Sequence, residues 1–388
     1  MTTIHEHAQN INDYVVATRR YLHQYPEPSL KEYKTCAFIQ DELKKHGIVY
    51  EQVGETGTLA TIQGTKGEGK TVLLRADIDA LEMDDLTGVE YASKNKGLNH
   101  SCGHDTHIAM GLGTAIILQQ LRDTFTGTVK IAFQPAEEIG AGAKQFVASG
   151  KINDADEVYA IHIRSDLELG KIAVHSGPVN ASCDIFKITV TGFSSHVGQP
   201  HIGRDALVAG SEIVGSLQTI VAREIDPLDN AVVGIGKFNA GTRYNIVASE
   251  AVLEGTIRAF SHETRAHLKE AVDRIAKSVA LAHRCECTTE WYDAAAPVIN
   301  SKEQSQAAIA LFNQLEVVEE VVTDYEKSMG ADDFADYLVH APGAYILLGA
   351  SSGVDTSYGH HHEKFNIDER ALAIGVECEV ACLLERLK

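Results

Sequence analysis

Between residues 184 and 292 the chain reads strand, helix, strand, strand, helix, strand, and this block interrupts a different pattern that runs on either side of it. Inside the block, Ile185, Lys187 and Thr189 alternate with Phe186, Ile188 and Val190, the two-residue period of a half-buried strand. The spacing then predicts a helix over 205–223, strands over 231–236 and 250–258, a helix over 263–283 and a strand over 285–292. That order is the ferredoxin-like, split βαβ arrangement. At about 110 residues the block is long enough for an independent small domain. Outside it, apolar strands over 58–63, 71–76, 127–133, 158–163 and 344–348 alternate with helices over 107–121, from 305 and from 368. Strands and helices in alternation imply an α/β layer with a mainly parallel sheet, whose ligands sit at the carboxyl ends of strands. The first fifty or so residues are helical, with Ile11, Val15 and Leu22 on one face, then Pro26 and Pro28, then an amphipathic stretch over 32–45 that ends at Gly47.

With 388 residues the chain exceeds what one hydrophobic core usually fills, so two domains are expected. The change of character near Gly177-Pro178 makes the second an insertion: an α/β domain over 1–178 and 293–388, and an α+β domain over 179–292. The 34 basic and 54 acidic residues give a formal charge of −20, which argues against nucleic acid or an anionic membrane as partner. Seven cysteines without dense spacing do not make a disulfide scaffold. Cys378 and Cys382, four apart on a predicted helix, read as core packing. No cationic leader and no membrane-length apolar run is evident, so the expected compartment is a reducing one, the cytoplasm.

The chemistry concentrates in His100-Ser-Cys102-Gly-His104-Asp105-Thr-His107, followed by Glu137-Glu138, an isolated His162 and the triplet His360-His361-His362. Thiolate, imidazole and carboxylate groups are the donors that borderline divalent metals need. Taken singly, Cys102 reads as a buried thiol and His104 and His107 as residues of a satisfied helix start; together, in His-x-Cys-x-His-Asp-x-His, they read as a site. Glu137 and Glu138 follow a strand that Pro135 ends. Adjacent side chains diverge, so one carboxylate can bind metal while the other moves a proton. A solvated acidic helix start is the alternative reading of that pair.

These motifs resemble those of the dinuclear-metal amidohydrolases and exopeptidases that include hippurate hydrolase, bacterial aminoacylases, indole-acetyl-amino-acid hydrolase and N-acetyl-diaminopimelate deacetylase. The resemblance runs from Arg19-Arg20-Tyr-Leu-His23-Gln-Tyr-Pro26-Glu27, Glu32 and Thr35 through Leu74-Arg75-Ala76-Asp77-Ile-Asp79-Ala80-Leu81 and the two motifs above. It continues in Gly192-Phe-Ser-Ser-His196, Asn245, Gly255-Thr256 and Arg258, and ends at Met329-Gly330-Ala-Asp332-Asp333-Phe334 and His361-His-Glu-Lys-Phe365. It implies a metallohydrolase domain with an inserted ferredoxin-like dimerisation (lid) domain. It also implies two divalent ions, zinc, manganese, nickel or cobalt, on Cys102, His104, Glu138, His162 and His361. His361 is taken from the triplet because the family's ligand stands four residues before an aromatic, here Phe365; His360 and His362 stay open. Glu137 would be the general base, His196 would stabilise the tetrahedral intermediate, and Asn245, with Arg258 as a second candidate, would bind substrate. A homodimer or higher homo-oligomer is implied as well. The chain departs from the family pattern at Glu82, at Ile163-Arg164-Ser165-Asp166 after His162, at Phe193-Ser194-Ser195, at Asp332 and at Glu363. None of these removes an implied ligand, and several border the substrate pocket.

The expected reaction is hydrolysis of the amide bond of an N-acyl amino acid, N-acetyl, N-benzoyl or similar; a di- or carboxypeptidase of the same mechanism is the alternative. Divalent ions lower the pKa of water from 15.7 toward about 7. A positioned base such as Glu137 adds on the order of 10²–10⁴ in rate. A non-catalytic metal-binding protein is the rival of another class, and retention of Glu137 beside every implied ligand argues against it. A single-zinc protease is disfavoured by the lack of a His-Glu-x-x-His run.

Overall fold

Helix His104–Gln120 has no polar face: every residue from His104 to Leu118 is buried. A helix apolar all round must be covered on all sides. Helices Ile4–Gln24 and Arg370–Arg386 pack against it and against each other, and strands of the main sheet close the remaining side. The computed structural model describes residues 3–388. The chain divides into two units, the first reaching to Gly177 and resuming at Ile299–Glu326 and Asp333–Lys388, the second comprising Pro178–Val298 and Lys327–Asp332.

Among the described residues the first unit holds a sheet of eight strands. Its order is Val49–Val53, Gly57–Gln63, Thr128–Gln134, Thr71–Asp77, Glu157–Glu168, Gly343–Ser351, Lys171–Ala173, Glu320–Val322. Neighbours from Thr128–Gln134 to Gly343–Ser351 are parallel, and antiparallel pairs flank them. The mainly parallel α/β architecture is thus present, with an antiparallel edge that the sequence pattern did not announce. Register sets the chemistry. Arg75 pairs with Ala132 and with Ala160, so two residues further on Asp77, Gln134 and His162 stand at one level. His162 lies inside Glu157–Glu168, within the strand expected over 158–163, and this strand overruns its neighbour Thr71–Asp77. Cys378 and Cys382 are buried in the closing helix, as packing residues.

The second unit is a four-stranded antiparallel sheet among the described residues, ordered Glu286–Ala295, Cys183–Thr191, Glu250–Ala259, Ala231–Ala240. In chain order that is fourth, first, third, second, the ferredoxin-like topology. Phe186, Ile188 and Val190 face its core while Ile185 is exposed, as the alternation requires. Helices Ala206–Leu217 and His262–Ala282 cover the apolar face. The single helix expected over 205–223 is broken at Gln218 into Ala206–Leu217 and Thr219–Glu224. The unit also ends at Val298 rather than 292, since the last strand runs to Ala295. It further recruits Lys327–Asp332, where the carbonyls of Ser328 and Gly330 accept from the Ala181 N–H at 3.0 Å each. Among the described residues no helix is long and apolar enough to cross a membrane.

Candidate active site

The site starts at the turn before the buried helix. Gly103 has φ +86, and a Cβ there would lie 2.4 Å from Ile163 Cγ2, so only glycine fits between Cys102 and His104. His104 Nδ1–H donates to the Asp79 carbonyl at 2.9 Å, which leaves Nε2 with its lone pair bare. That atom is 3.8 Å from Glu138 Oε1 and 4.0 Å from Glu137 Oε2. His162 is oriented in the same way: Nδ1–H donates to the Ile163 carbonyl at 2.7 Å, and Nε2 lies 3.8 Å from Cys102 Sγ. His361 Nε2 stands 3.4 Å from Glu138 Oε2. Five overlapping groups result among the described residues, and Cys102–Glu138–His361, Cys102–His162–His360 and His104–Glu137–Glu138 are the three that hold the expected donors with a thiol or a glutamate; in each the donor atoms lie within 4.8 Å of one another.

These residues fit a metal centre. His104 Nε2 and Glu138 Oε1 are buried and have no hydrogen-bond partner among the described residues, an arrangement that costs about 1–3 kcal/mol per group unless a ligand satisfies it. The separations of 3.4–3.8 Å match the spacing of about 3.3–3.8 Å between two donors on one tetrahedral ion at N and S bond lengths. Burial, helped by the Glu138 charge, pushes the Cys102 thiol up to about 12. Burial holds the His162 imidazole well below its ordinary range, with His107 and His360 adding to the effect. Such groups are poor ions by themselves and good donors to a cation.

Residues around this set decide which donors stay available. His107, within the sequence cluster, is not one of them: Nδ1–H donates to Asp77 Oδ1 and Nε2 accepts from the Ile163 N–H at 2.9 Å. It ties the buried helix to the residue beside His162. Burial opposes ionisation of Asp77, but Arg75, His104 and His107 outweigh it and hold its carboxyl well below the usual range. Asp105 accepts from Arg19 Nε and His23 Nδ1, both at 2.8 Å, and so turns away from its neighbour His104. Asp79 Oδ2 accepts from Ser29 Oγ at 2.6 Å and from the Glu138 N–H at 3.1 Å. Glu32 is wholly buried. Its Oε1 accepts from the N–H groups of Leu30 and Ala136 at 2.9 Å each, and its Oε2 from Thr56 Oγ1 at 2.8 Å. Leu30 and Ala136 both have left-handed backbones, with φ 64° and 55°, so one carboxylate oxygen holds two strained turns. The second of these immediately precedes Glu137.

Residue types and chain order expose the donors but not these anchors; the one available signal for Arg19, His23, Glu32 and Asp77 is that they lie in the motifs at the amino-terminal end. In the second unit, His196 Nδ1 accepts from the Gly198 N–H at 2.9 Å, and the Asn245 carbonyl accepts from the Val197 N–H at 3.2 Å, so His196 and Asn245 share one loop cluster. Arg258 is not brought to them. It lies near the far end of Glu250–Ala259, about 26 Å along the strand from Glu250, with Nη1 donating to the Met329 carbonyl.

An α/β unit carrying clustered Cys, His and Glu donors, with a ferredoxin-like unit inserted in it, defines a class of amide-bond hydrolases with a dinuclear metal site. The chain belongs to peptidase family M20/M25/M40, whose model matches residues 73–385. It is 36% identical over 359 residues to N-acetyl-L-cysteine deacetylase of Bacillus subtilis, covering 92% of this chain and 84% of that protein. It is 37% identical over 373 residues to thermostable carboxypeptidase 1 of Saccharolobus solfataricus, covering 95% and 94%. The crystal structure of the Bacillus subtilis YXEP protein, described as a dinuclear metal binding peptidase from the M20 family, superposes with a TM-score of 0.85 at 32% identity over 98% of this chain and 99% of that one. The chain is a hydrolase acting on amide bonds.

Glu32→Ala removes the acceptor of two left-handed turns and is expected to destabilise the protein by at least about 1–3 kcal/mol in urea unfolding. Glu32→Gln keeps a carbonyl oxygen for the same two N–H groups and should recover most of that loss. Equal destabilisation by both variants would show that the charge, not the acceptor, holds the turns.

Proposed function

We propose that the protein hydrolyses N-acyl amino acids to a carboxylate and a free amino acid, with two divalent ions held by Cys102, His104, Glu138, His162 and His361. The observation that carries this reading is the convergence of Glu137 and Glu138 on His104 Nε2, at 4.0 and 3.8 Å, beside the Cys102 thiol; the adjacent carboxylates do not diverge as their sequence positions suggested. Bound ions would polarise the scissile carbonyl and make water acidic near neutral pH. Glu138 and His361 would hold position as donors. The Glu137 carboxylate takes a proton from the attacking water and returns it to the leaving nitrogen. His196 accepts a backbone N–H at Nδ1, so its Nε2–H is the outward donor suited to a developing oxyanion. Asn245, in the same loop cluster, offers an amide to the α-carboxylate of the amino acid. Zinc, manganese, nickel and cobalt all suit this donor set. Seven free cysteines among the described residues, one of them a proposed ligand, favour the reducing cytoplasm.

A peptidase differs only in an amine on the acyl group, and the likeness to a carboxypeptidase keeps that reading alive. The deciding experiment is a screen of N-acetyl and N-benzoyl amino acids and dipeptides on metal-reconstituted protein, with and without chelator. Chelator-sensitive turnover of the acyl amino acids is expected, and Glu137→Gln should abolish it while metal content stays near wild type. Loss of metal from Glu137→Gln would exchange the roles of Glu137 and Glu138.

Because burial pushes the Cys102 thiol up to about 12, it is protonated near neutral pH. An ion that takes it as thiolate must displace its proton. Metal affinity should therefore rise with pH through neutrality, by about tenfold per unit for each proton displaced, and metal added to the apoprotein in weak buffer should release acid. Affinity independent of pH would remove Cys102 from the ligand set.

A homodimer would use the edge strand Ala231–Ala240, where Val232 and Phe238 are exposed near Leu207 and Val208 of the adjoining helix. We read His196 as serving the partner's site. Mixing inactive His196→Ala with inactive Glu137→Gln should then recover activity once subunits exchange. No recovery after proven exchange leaves delivery within one chain.

A further inference from the structure

The histidine triplet contains one more donor than the proposed ligand set uses. His360 Nδ1 is 3.6 Å from Cys102 Sγ, on the same sulfur that His162 Nε2 approaches at 3.8 Å. The three donor atoms lie within 4.8 Å of one another, and the rings of His162 and His360 are 5.3 Å apart. The loop is fixed from two sides. Ser165 Oγ donates to the Tyr358 carbonyl at 2.7 Å, and the His361 N–H donates to the Ser101 carbonyl at 2.9 Å. His361 takes a left-handed backbone, φ 62°, and its ring meets Glu138 while that of the preceding residue meets Cys102. Two successive residues of one tight loop thus reach two different partners.

The His360 ring rests on Phe365, centroids 4.8 Å apart, and its Nε2 is buried without a hydrogen-bond partner among the described residues. An apolar residue would fill that space without an orphaned nitrogen, whose burial costs about 1–3 kcal/mol. The cost is borne while Nδ1 is aimed at the thiol, so Nδ1 is the atom to be explained.

We propose that His360 is a metal ligand of this protein through Nδ1, in addition to His361, and that Cys102 bridges two unlike positions: one with Cys102, His162 and His360, the other with Cys102, His104, Glu138 and His361. The inference rests on the two-ion reading given above. It adds that the two positions differ in chemical softness, a thiolate with two imidazoles against a set that includes a carboxylate. The first position would take zinc, cobalt or cadmium in preference to manganese, and the second would accept manganese, so the protein would hold a mixed pair.

The test reads binding, not turnover. Apoprotein labelled with ¹⁵N-histidine and loaded with two equivalents of ¹¹³Cd should show cadmium–nitrogen coupling at the His360 ring as well as at His162. In equilibrium dialysis against cobalt, His360→Ala should weaken one of two equivalents by about tenfold or more, the least that residues one layer outside a metal cost when removed, and should alter the thiolate-to-cobalt absorption band. His362→Ala should leave both equivalents and the band unchanged. Two tightly held ions with no coupling at His360, or an unchanged band in His360→Ala, overturn the proposal and leave the two-ion reading intact. Failure of the wild-type protein to bind a second ion overturns both. Should His360→Ala fail to fold, the coupling in the wild-type protein decides alone.

Discussion

Because helix His104–Gln120 is buried along its length, the polar residues of its first turn enter the interior with it and must find partners there. Three find partners within the protein, although Asp105 Oδ1 has none among the described residues. Asp105 takes Arg19 and His23, His107 takes Asp77 and the Ile163 N–H, and Thr106 Oγ1 donates to the Gly103 carbonyl. His104 alone is served on one nitrogen only, with the other left bare beside two glutamates. The site is thus the unsatisfied remainder of a burial problem, and an ion is the partner that the remaining donors have in common. Each satisfied neighbour also fixes an element: Arg19 and His23 hold the amino-terminal helix, Asp77 and Ile163 hold two strands.

The amino-terminal segment is part of the same construction. Glu32 and Ser29 lie in the stretch joining the first two helices, yet their hydrogen bonds end at Ala136 and Asp79, the residues that support Glu137 and Glu138. Carboxylates in so dry a region are tolerable only with several donors each, and Asp77, Asp79, Asp105 and Glu32 all have them. Glu138, like Asp79 and Asp105 at Oδ1, keeps one oxygen without a hydrogen-bond partner among the described residues.

The second unit is held together by other means. Its strands alternate cleanly, its core is aliphatic and aromatic, and its charged pairs, such as Arg265 with Asp184, lie where the helix His262–Ala282 meets the sheet. Nothing in that core calls for an ion. The residues of interest, His196 and Asn245, sit in loops at one end, held by backbone hydrogen bonds rather than by buried charge.

Much of this was determined by the sequence alone. The two-residue period of 184–190, the apolar run after His107 and the break at Gly177-Pro178 reflect local geometry and burial, which act over a few residues and leave a periodic trace. The candidate site is legible for the same reason: Cys102, His104, Glu137, Glu138 and His162 stand in motifs or in isolation where their chemistry has few other uses. Tertiary structure decided the rest. The strands Lys171–Ala173 and Glu320–Val322, the last two at one side of the sheet, are three residues each, too short for any period, and exist because a neighbour offers hydrogen bonds. That His107 is an anchor while His104 keeps a bare nitrogen depends on Asp77 and on the Ile163 N–H, which the chain brings to His107 from 30 and 56 residues away. Likewise, which member of the triplet meets Cys102 and which meets Glu138 turns on a left-handed residue in a loop tied to Ser165 and Ser101, a matter of contact rather than of spacing.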